Sequence, residues 1–373
     1  MGVGGGATRV RMMALAALLA MAASCPARSG DGEKAAAPTP APKATPAPRT
    51  AAPKQVRIGY FANVTHAQAL LGVDSGDFAK AVAPSTLVAR TFNAGPSLIE
   101  SLFAGEIDIG YIGPSPAVNA FVQSRGKGIR VIAGAAANGV VVVARPGSGI
   151  RTLADLKGKR LATPQLGNTQ DISARHYLET VLMQTGADGV MPIANAEQAA
   201  MMSRGRIDAA WAVEPWASRL VAEAGGVVVA EEKELWPDRL FPLTLVVATP
   251  EFLEQHRDVV ERLLVAHTSW TKRLAERPRE HVASIAGALE KLGGKGLSED
   301  LLTAALSRVV FTSEPMPSEI ATFATWASDL GLARSVPDVG LLVDTRCLER
   351  ARASSTHHAG AVESAGAASP EAP

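Results

Sequence analysis

The chain has 373 residues, 47% of them hydrophobic and 20% charged, enough for a sizeable core and about two domains. Its 37 Lys and Arg against 36 Asp and Glu leave a net charge of +1, which excludes a nucleic-acid binder held by a basic face. Two Cys exclude a disulfide framework and a Cys-based zinc module.

In chain order, Arg9 and Arg11 precede an apolar run over 12–23, too short to span a membrane. Ala22-Ala23-Ser24-Cys25 follows, and small residues before a Cys read as a bacterial lipobox. Residues 1–25 are therefore expected to be an export signal, with cleavage before Cys25 and lipidation of Cys25; an ordinary secretory signal is the alternative. Residues 26–54 are rich in Pro and Ala and predict an extended tether. The body then alternates. Strands are expected over 56–61, 87–92 and 107–112, with helices over 67–82, 96–103 and 117–124. A β-rich apolar run covers 131–144. The pattern restarts with strands over 160–163, 190–193 and 207–213 and helices over 169–184, 197–204 and 216–224. After a crossing stretch near 243–248 the chain turns helical, roughly over 251–275, 279–292, 298–308, 316–330 and 338–350. The tail over 351–373 is polar and small, and His357 and His358 there read as solvated. Cys347 reads as a quiet buried thiol. Strands separated by helices imply parallel βαβ units and an α/β fold.

The restart is also a repeat. Gly105-Glu106-Ile107-Asp108-Ile109-Gly110-Tyr111 aligns with Gly205-Arg206-Ile207-Asp208-Ala209-Ala210-Trp211. Each copy holds Gly-x-Ile-Asp and an aromatic three residues after the Asp. Two half-chains built alike predict two similar lobes facing one another.

In an open parallel sheet, ligands sit beyond the carboxyl ends of the strands. The loops there are 62–66, 93–97, 113–116, 163–171 and 213–216, and none contains Lys or Arg. They supply Asn63, Thr65, His66, Gly95, Ser97, Ser115, Gln165, Gly167, Asn168 and Thr169. Ser, Thr and Asn at helix starts cap the helix, and Pro suits its first turn. Free N–H groups at several converging helix starts bind an anion without any formal positive charge. Glu214 and Asp171 either hold an amino group or bridge to a loop, and Trp216 either lines an apolar ligand part or packs. Asp108 and Asp208 read as structural turn residues. The body shows no G-x-S-x-G elbow, no H-E-x-x-H and no phosphate loop, so no catalytic residue, metal or cofactor is expected.

The segments over 59–72, 91–121, 155–171 and 205–220 together resemble the solute-binding proteins of ABC importers, in the nitrate/sulfonate/taurine branch. The resemblance covers about residues 55–345. It implies a type II periplasmic-binding fold, with lobe one over 55–144 and 245–350, lobe two over 145–244, and crossovers near 143–146 and 229–246. It also implies that the C-terminal helices complete lobe one. The implied function is an extracytoplasmic receptor, not an enzyme, that closes on a small organic anion and delivers it to the transmembrane subunits of a permease. An alkanesulfonate or taurine is the expected ligand, and nitrate, bicarbonate or a pyrimidine precursor of thiamine the alternatives. A biosynthetic enzyme on the same fold and a sensor are the competing classes. The implied site comprises Asn63, Thr65, His66, Gly95, Ser97, Ser115, Gln165, Gly167, Asn168 and Thr169, with Glu214 and Trp216 from the second lobe. The receptor is expected to be a monomer that meets the membrane only through its lipid. Ala62 and Ser115 stand where the family commonly has Pro and Asn.

Overall fold

A computed structural model describes residues 51–186, 188–293 and 297–354. The expectations for Cys25, the export signal, most of the tether and the tail from residue 355 lie outside the described residues. In chain order the strands are β1 (Gln55–Phe61), β2 (Thr86–Phe92), β3 (Ile109–Ile112), β4 (Arg130–Asn138), β5 (Val140–Ala144), β6 (Leu161–Thr163), β7 (Val190–Pro192), β8 (Ala209–Val213), β9 (Val227–Glu231), β10 (Pro242–Ala248) and β11 (Val309–Phe311). The helices are α1 (Ala67–Asp74), α2 (Asp77–Val82), α3 (Gly95–Phe103), α4 (Pro114–Gln123), α5 (Thr169–His176), α6 (Asn195–Ser203), α7 (Trp216–Ala224), α8 (Pro250–Gln255), α9 (Arg257–Glu276), α10 (Val282–Lys291), α11 (Glu299–Leu306), α12 (Pro317–Asp329) and α13 (Val339–Leu342). Residues 346–354 are helical again, so the described chain stays ordered four residues into the expected tail.

Two sheets form. The first has the order β11-β4-β10-β3-β1-β2 and the second β7-β6-β8-β5-β9. In the first, β1 runs parallel to β2 and β3, and β10 lies antiparallel to β3 and β4. In the second, β6 runs parallel to β7 and β8, and β5 lies antiparallel to β8 and β9. The halves thus share one plan, and each antiparallel inner strand is contributed by a chain segment that has just left, or is about to leave, the other half.

The repeat has a structural cause. Arg57 donates from its backbone N and Nε to Asp108 Oδ2, at 2.8 and 2.9 Å. Arg160 does the same to Asp208 Oδ2, at 3.1 and 2.9 Å. Each Asp ties the start of one strand, β1 or β6, to the strand beside it, β3 or β8. The bonds from Arg160, with Arg145 adding another, hold the Asp208 carboxyl far below the usual carboxylate range.

The apolar run over 131–144 is two strands in two sheets, β4 in the first and β5 in the second. Asn138 and Gly139 take positive φ values of 61° and 76° and turn the chain between sheets. Such backbone favours Asn and Gly. The second crossing occupies residues 232–241. Asn138 laces the two crossings together. Its N donates to Phe241 O, its Nδ2 to Arg239 O, and its Oδ1 accepts from Phe241 N. Strands β9 and β11 were not expected from the sequence.

Each sheet is covered on both faces. In β8, Ala209, Trp211 and Val213 enter one core cluster and Ala210 and Ala212 another, the period-two split of a strand buried on both faces. Helix α12 serves both halves. Ile320 and Ala324 pack with the first sheet, whereas Phe323 and Ala327 join the second core beside Trp236 and Phe241. His176 of α5 stacks on Trp326 with ring centres 4.2 Å apart. The C-terminal helices therefore do more than complete the first half.

Candidate functional site

The site grows from the starts of helices. Gly113 and Ala94 precede α4 and α3 without supplying a side-chain cap. The first N–H groups of those helices consequently lack partners of their own. In α4 the sequence Pro114-Ser115-Pro116 removes the neighbouring N–H groups and leaves Ser115 as the donor. The starts converge. A Cβ on Gly95 would lie 2.6 Å from Pro116 Cγ, and a Cβ on Gly113 would lie 2.5 Å from Thr169 Oγ1 at the first residue of α5. The latter contact joins a loop of the first sheet to a loop of the second. Only glycine allows the backbone so close.

Around α5 the loop is internally braced. Asn168 caps the helix by accepting from Asp171 N at 2.9 Å. Gly167, at φ 74°, donates its N–H to Asp171 Oδ2 at 2.9 Å, and Thr163 Oγ1 donates to Asp171 Oδ1 at 2.7 Å. Arg175 Nε donates to Asp171 Oδ2 at 2.8 Å. On the other side, Asn63 Oδ1 accepts from Thr65 N at 3.0 Å and Thr65 Oγ1 at 3.2 Å. His66 Nδ1 accepts from Phe61 N at 3.3 Å, so the neutral ring carries its proton on Nε2. Burial holds His66 down at about 3.

Three of the expected residues are conspicuous because their polar atoms are idle. Ser115 Oγ, Thr169 Oγ1 and Gln165 Oε1 are buried with no hydrogen-bond partner. Ser115 and Thr169 are each 3% exposed. Buried hydroxyls are normally satisfied, and an orphan costs about 1–3 kcal/mol. Two such hydroxyls lie at two helix starts, one from each sheet.

Other expected residues are engaged elsewhere. Ser97 is exposed and donates to Ala94 O at 3.0 Å. Glu214 Oε1 accepts from Arg308 Nη1 at 2.7 Å, and Oε2 accepts from Ser218 N at 3.0 Å. Trp216 packs on the second core, with the Arg219 guanidinium 5.1 Å from its ring centre. Sequence reasoning passed over the close approach of Gly113 to Thr169, although Gly113 opens one of the loops singled out. It also missed Arg308, which lies 94 residues from Glu214 and has no local signal.

The chain matches the NMT1-like family over residues 49–289. It belongs to that family. The taurine-binding periplasmic protein of Escherichia coli (strain K12) is 29% identical over 177 residues, 46% of this chain and 52% of that protein. The chain spans about half the length of the curated relatives it matches. Among solved structures, the alkanesulfonate-binding protein of Xanthomonas axonopodis pv. citri bound to MOPS superposes with a TM-score of 0.64 at 22% identity, covering 79% of this chain and 99% of that one. The periplasmic nitrate-binding protein of Synechocystis PCC 6803 superposes with a TM-score of 0.69 at 15% identity, covering 81% of this chain and 89% of that one. This NMT1-like chain has the type II periplasmic-binding fold of these neighbours.

Proposed function

We propose that this chain is the extracytoplasmic receptor of an ABC importer, and that it captures a small organic anion between two closing lobes and passes it to a permease. The supporting observation is the pair of idle buried hydroxyls, Ser115 and Thr169, brought to one place from two sheets. Neutral donors at helix starts favour an anion whose charge is spread over several oxygens. The ligand's contacts to both halves stabilise the closed form over the open one. The chain itself performs no chemistry. Export and lipid anchoring at Cys25 place the receptor outside the cytoplasm, as a monomer on a tether.

An alkanesulfonate is favoured over taurine. Asp171 and Glu214 are wholly buried and each is paired with an arginine, Arg175 and Arg308, so neither charge is open to an ammonium group. Calorimetry and thermal shift with propane-1-sulfonate, taurine, nitrate, bicarbonate and a thiamine pyrimidine test the reading. A ligand of the native state raises the melting temperature. Saturable binding of propane-1-sulfonate, tighter than taurine, is expected. No response to any of the anions contradicts the proposal.

A further inference from the structure

Anion capture leaves one buried acid unexplained. Glu232 opens the 3-10 turn Glu232–Leu235 in the second crossing and is 1% exposed. Its Oε2 lies 2.5 Å from Trp211 Nε1, and its Oε1 lies 2.6 Å from Ser173 Oγ. Ser173 Oγ is also 3.2 Å from the carbonyl oxygen of Thr169. The indole can only donate and the carbonyl can only accept, while the hydroxyl has a single proton. A carboxylate would take that proton and leave the Ser173–Thr169 contact without one. A carboxylic acid satisfies these three contacts. Trp211 donates to Oε2, the Oε1 proton goes to Ser173, and the Ser173 proton goes to Thr169 O.

The surroundings agree. On α5, Asp171 pairs with Arg175, and His176 stacks on Trp326. Strands β5 and β8 bring no titratable side chain, and Glu214 beyond β8 is paired with Arg308. On its own stretch Glu231 pairs with Lys233 and Arg308, and Glu234 is exposed. No cation offsets a charge on Glu232 among the described residues. Burial pushes its carboxyl up to about 7, outweighing the hydrogen bonds from Ser173, Trp211 and Trp236 that act the other way.

We propose that Glu232 is a positioning residue for anion binding: as a neutral acid it fixes the first turn of α5 through Ser173, and its ionisation sets a negative charge behind the helix start that receives the anion. This rests on the anion reading above. The affinity for anions falls as the proton leaves for bulk water.

Propane-1-sulfonate is the probe, because it stays ionised throughout the working range and only the protein titrates. For the full chain, the calorimetric affinity is expected to drop about tenfold as pH rises from about 5.5 to about 8.5. Glu232→Gln should flatten that dependence. It should also remove the infrared band of a buried neutral carboxyl seen in the parent protein at the lower pH. A flat profile in the parent, or the same slope in Glu232→Gln, overturns the proposal. Should Glu232→Gln not fold, Ser173→Ala cuts the link while leaving the acid. It is expected to weaken sulfonate binding with the band intact, and unchanged affinity overturns the proposal. Sulfonate binding without the carboxyl band removes the role of Glu232 alone. The band without binding at any pH removes the anion site and this proposal together.

Discussion

Ser115 and Thr169 each hold a hydroxyl that the fold buries and leaves unbonded. Removing such a hydroxyl has opposite consequences for binding and for folding. Ser115→Ala and Thr169→Val are each expected to weaken sulfonate binding about tenfold or more, since a hydrogen bond to a charged group contributes about 1.5–3 kcal/mol. The melting temperature of the free protein should stay level or rise, because an unsatisfied buried group is gone. Calorimetry and thermal unfolding read the two effects separately. The buried imidazoles give a second prediction. Burial lowers His66 to about 3 and His267 to about 4 from an ordinary value near 6.5. Both folded values are depressed, so the stability they contribute is present above pH 6.5. It is lost as pH falls toward 4 and 3. Each should cost about 1 kcal/mol per pH unit below 6.5. Denaturant titrations at about pH 7 and about pH 5 on Glu232→Gln, which removes the opposing titration of that raised acid, check this, and equal midpoints would contradict it. The hydrogen bonds of Thr65 and Asn168 are legible in sequence, because caps act within three residues. The partners of Glu214 and Glu232 are not, since Arg308 and Trp211 reach them only through tertiary packing.

Helices α4 and α5 meet where Gly113 faces Thr169. Gly113 has φ −73°, which any residue adopts, so Gly113→Ala carries no backbone penalty. Its methyl would nonetheless stand 2.5 Å from Thr169 Oγ1. The variant should fold normally and lose most of its anion affinity, because the two helix starts are pushed apart. Circular dichroism with calorimetry checks both halves of that statement. On the opposite side of the junction, Arg308 joins Glu214 and Glu231, drawing α11 and the start of β11 to the ends of β8 and β9. Arg308→Ala leaves the wholly buried Glu214 carboxylate unpaired and should cost about 3–5 kcal/mol. Adding Glu214→Gln should recover much of that loss in denaturant unfolding. The βαβ alternation was legible because apolar period and turn residues agree from Gln55 to Phe103. The run over 131–144 is β-rich as expected, but its division went unread, although Asn138-Gly139 inside it is a turn signal and both residues take positive φ.

The whole molecule is one plan used twice, with each half borrowing an inner strand across the junction. The repeat around Asp108 and Asp208 announced this in sequence, and the matched Arg57 and Arg160 bonds give it a physical basis. The borrowing itself was illegible. Nothing local tells β5 to pair with β8, or β10 with β3. The role of α12 was hidden for the same reason, since its two faces serve different cores. The central claim is that neutral donors from both halves hold one anion. A crystal structure of the full chain with propane-1-sulfonate tests it most directly. The account predicts sulfonate oxygens within about 3.1 Å of both Ser115 Oγ and Thr169 Oγ1. A sulfonate bound elsewhere, or held by a Lys or Arg side chain instead, would contradict it.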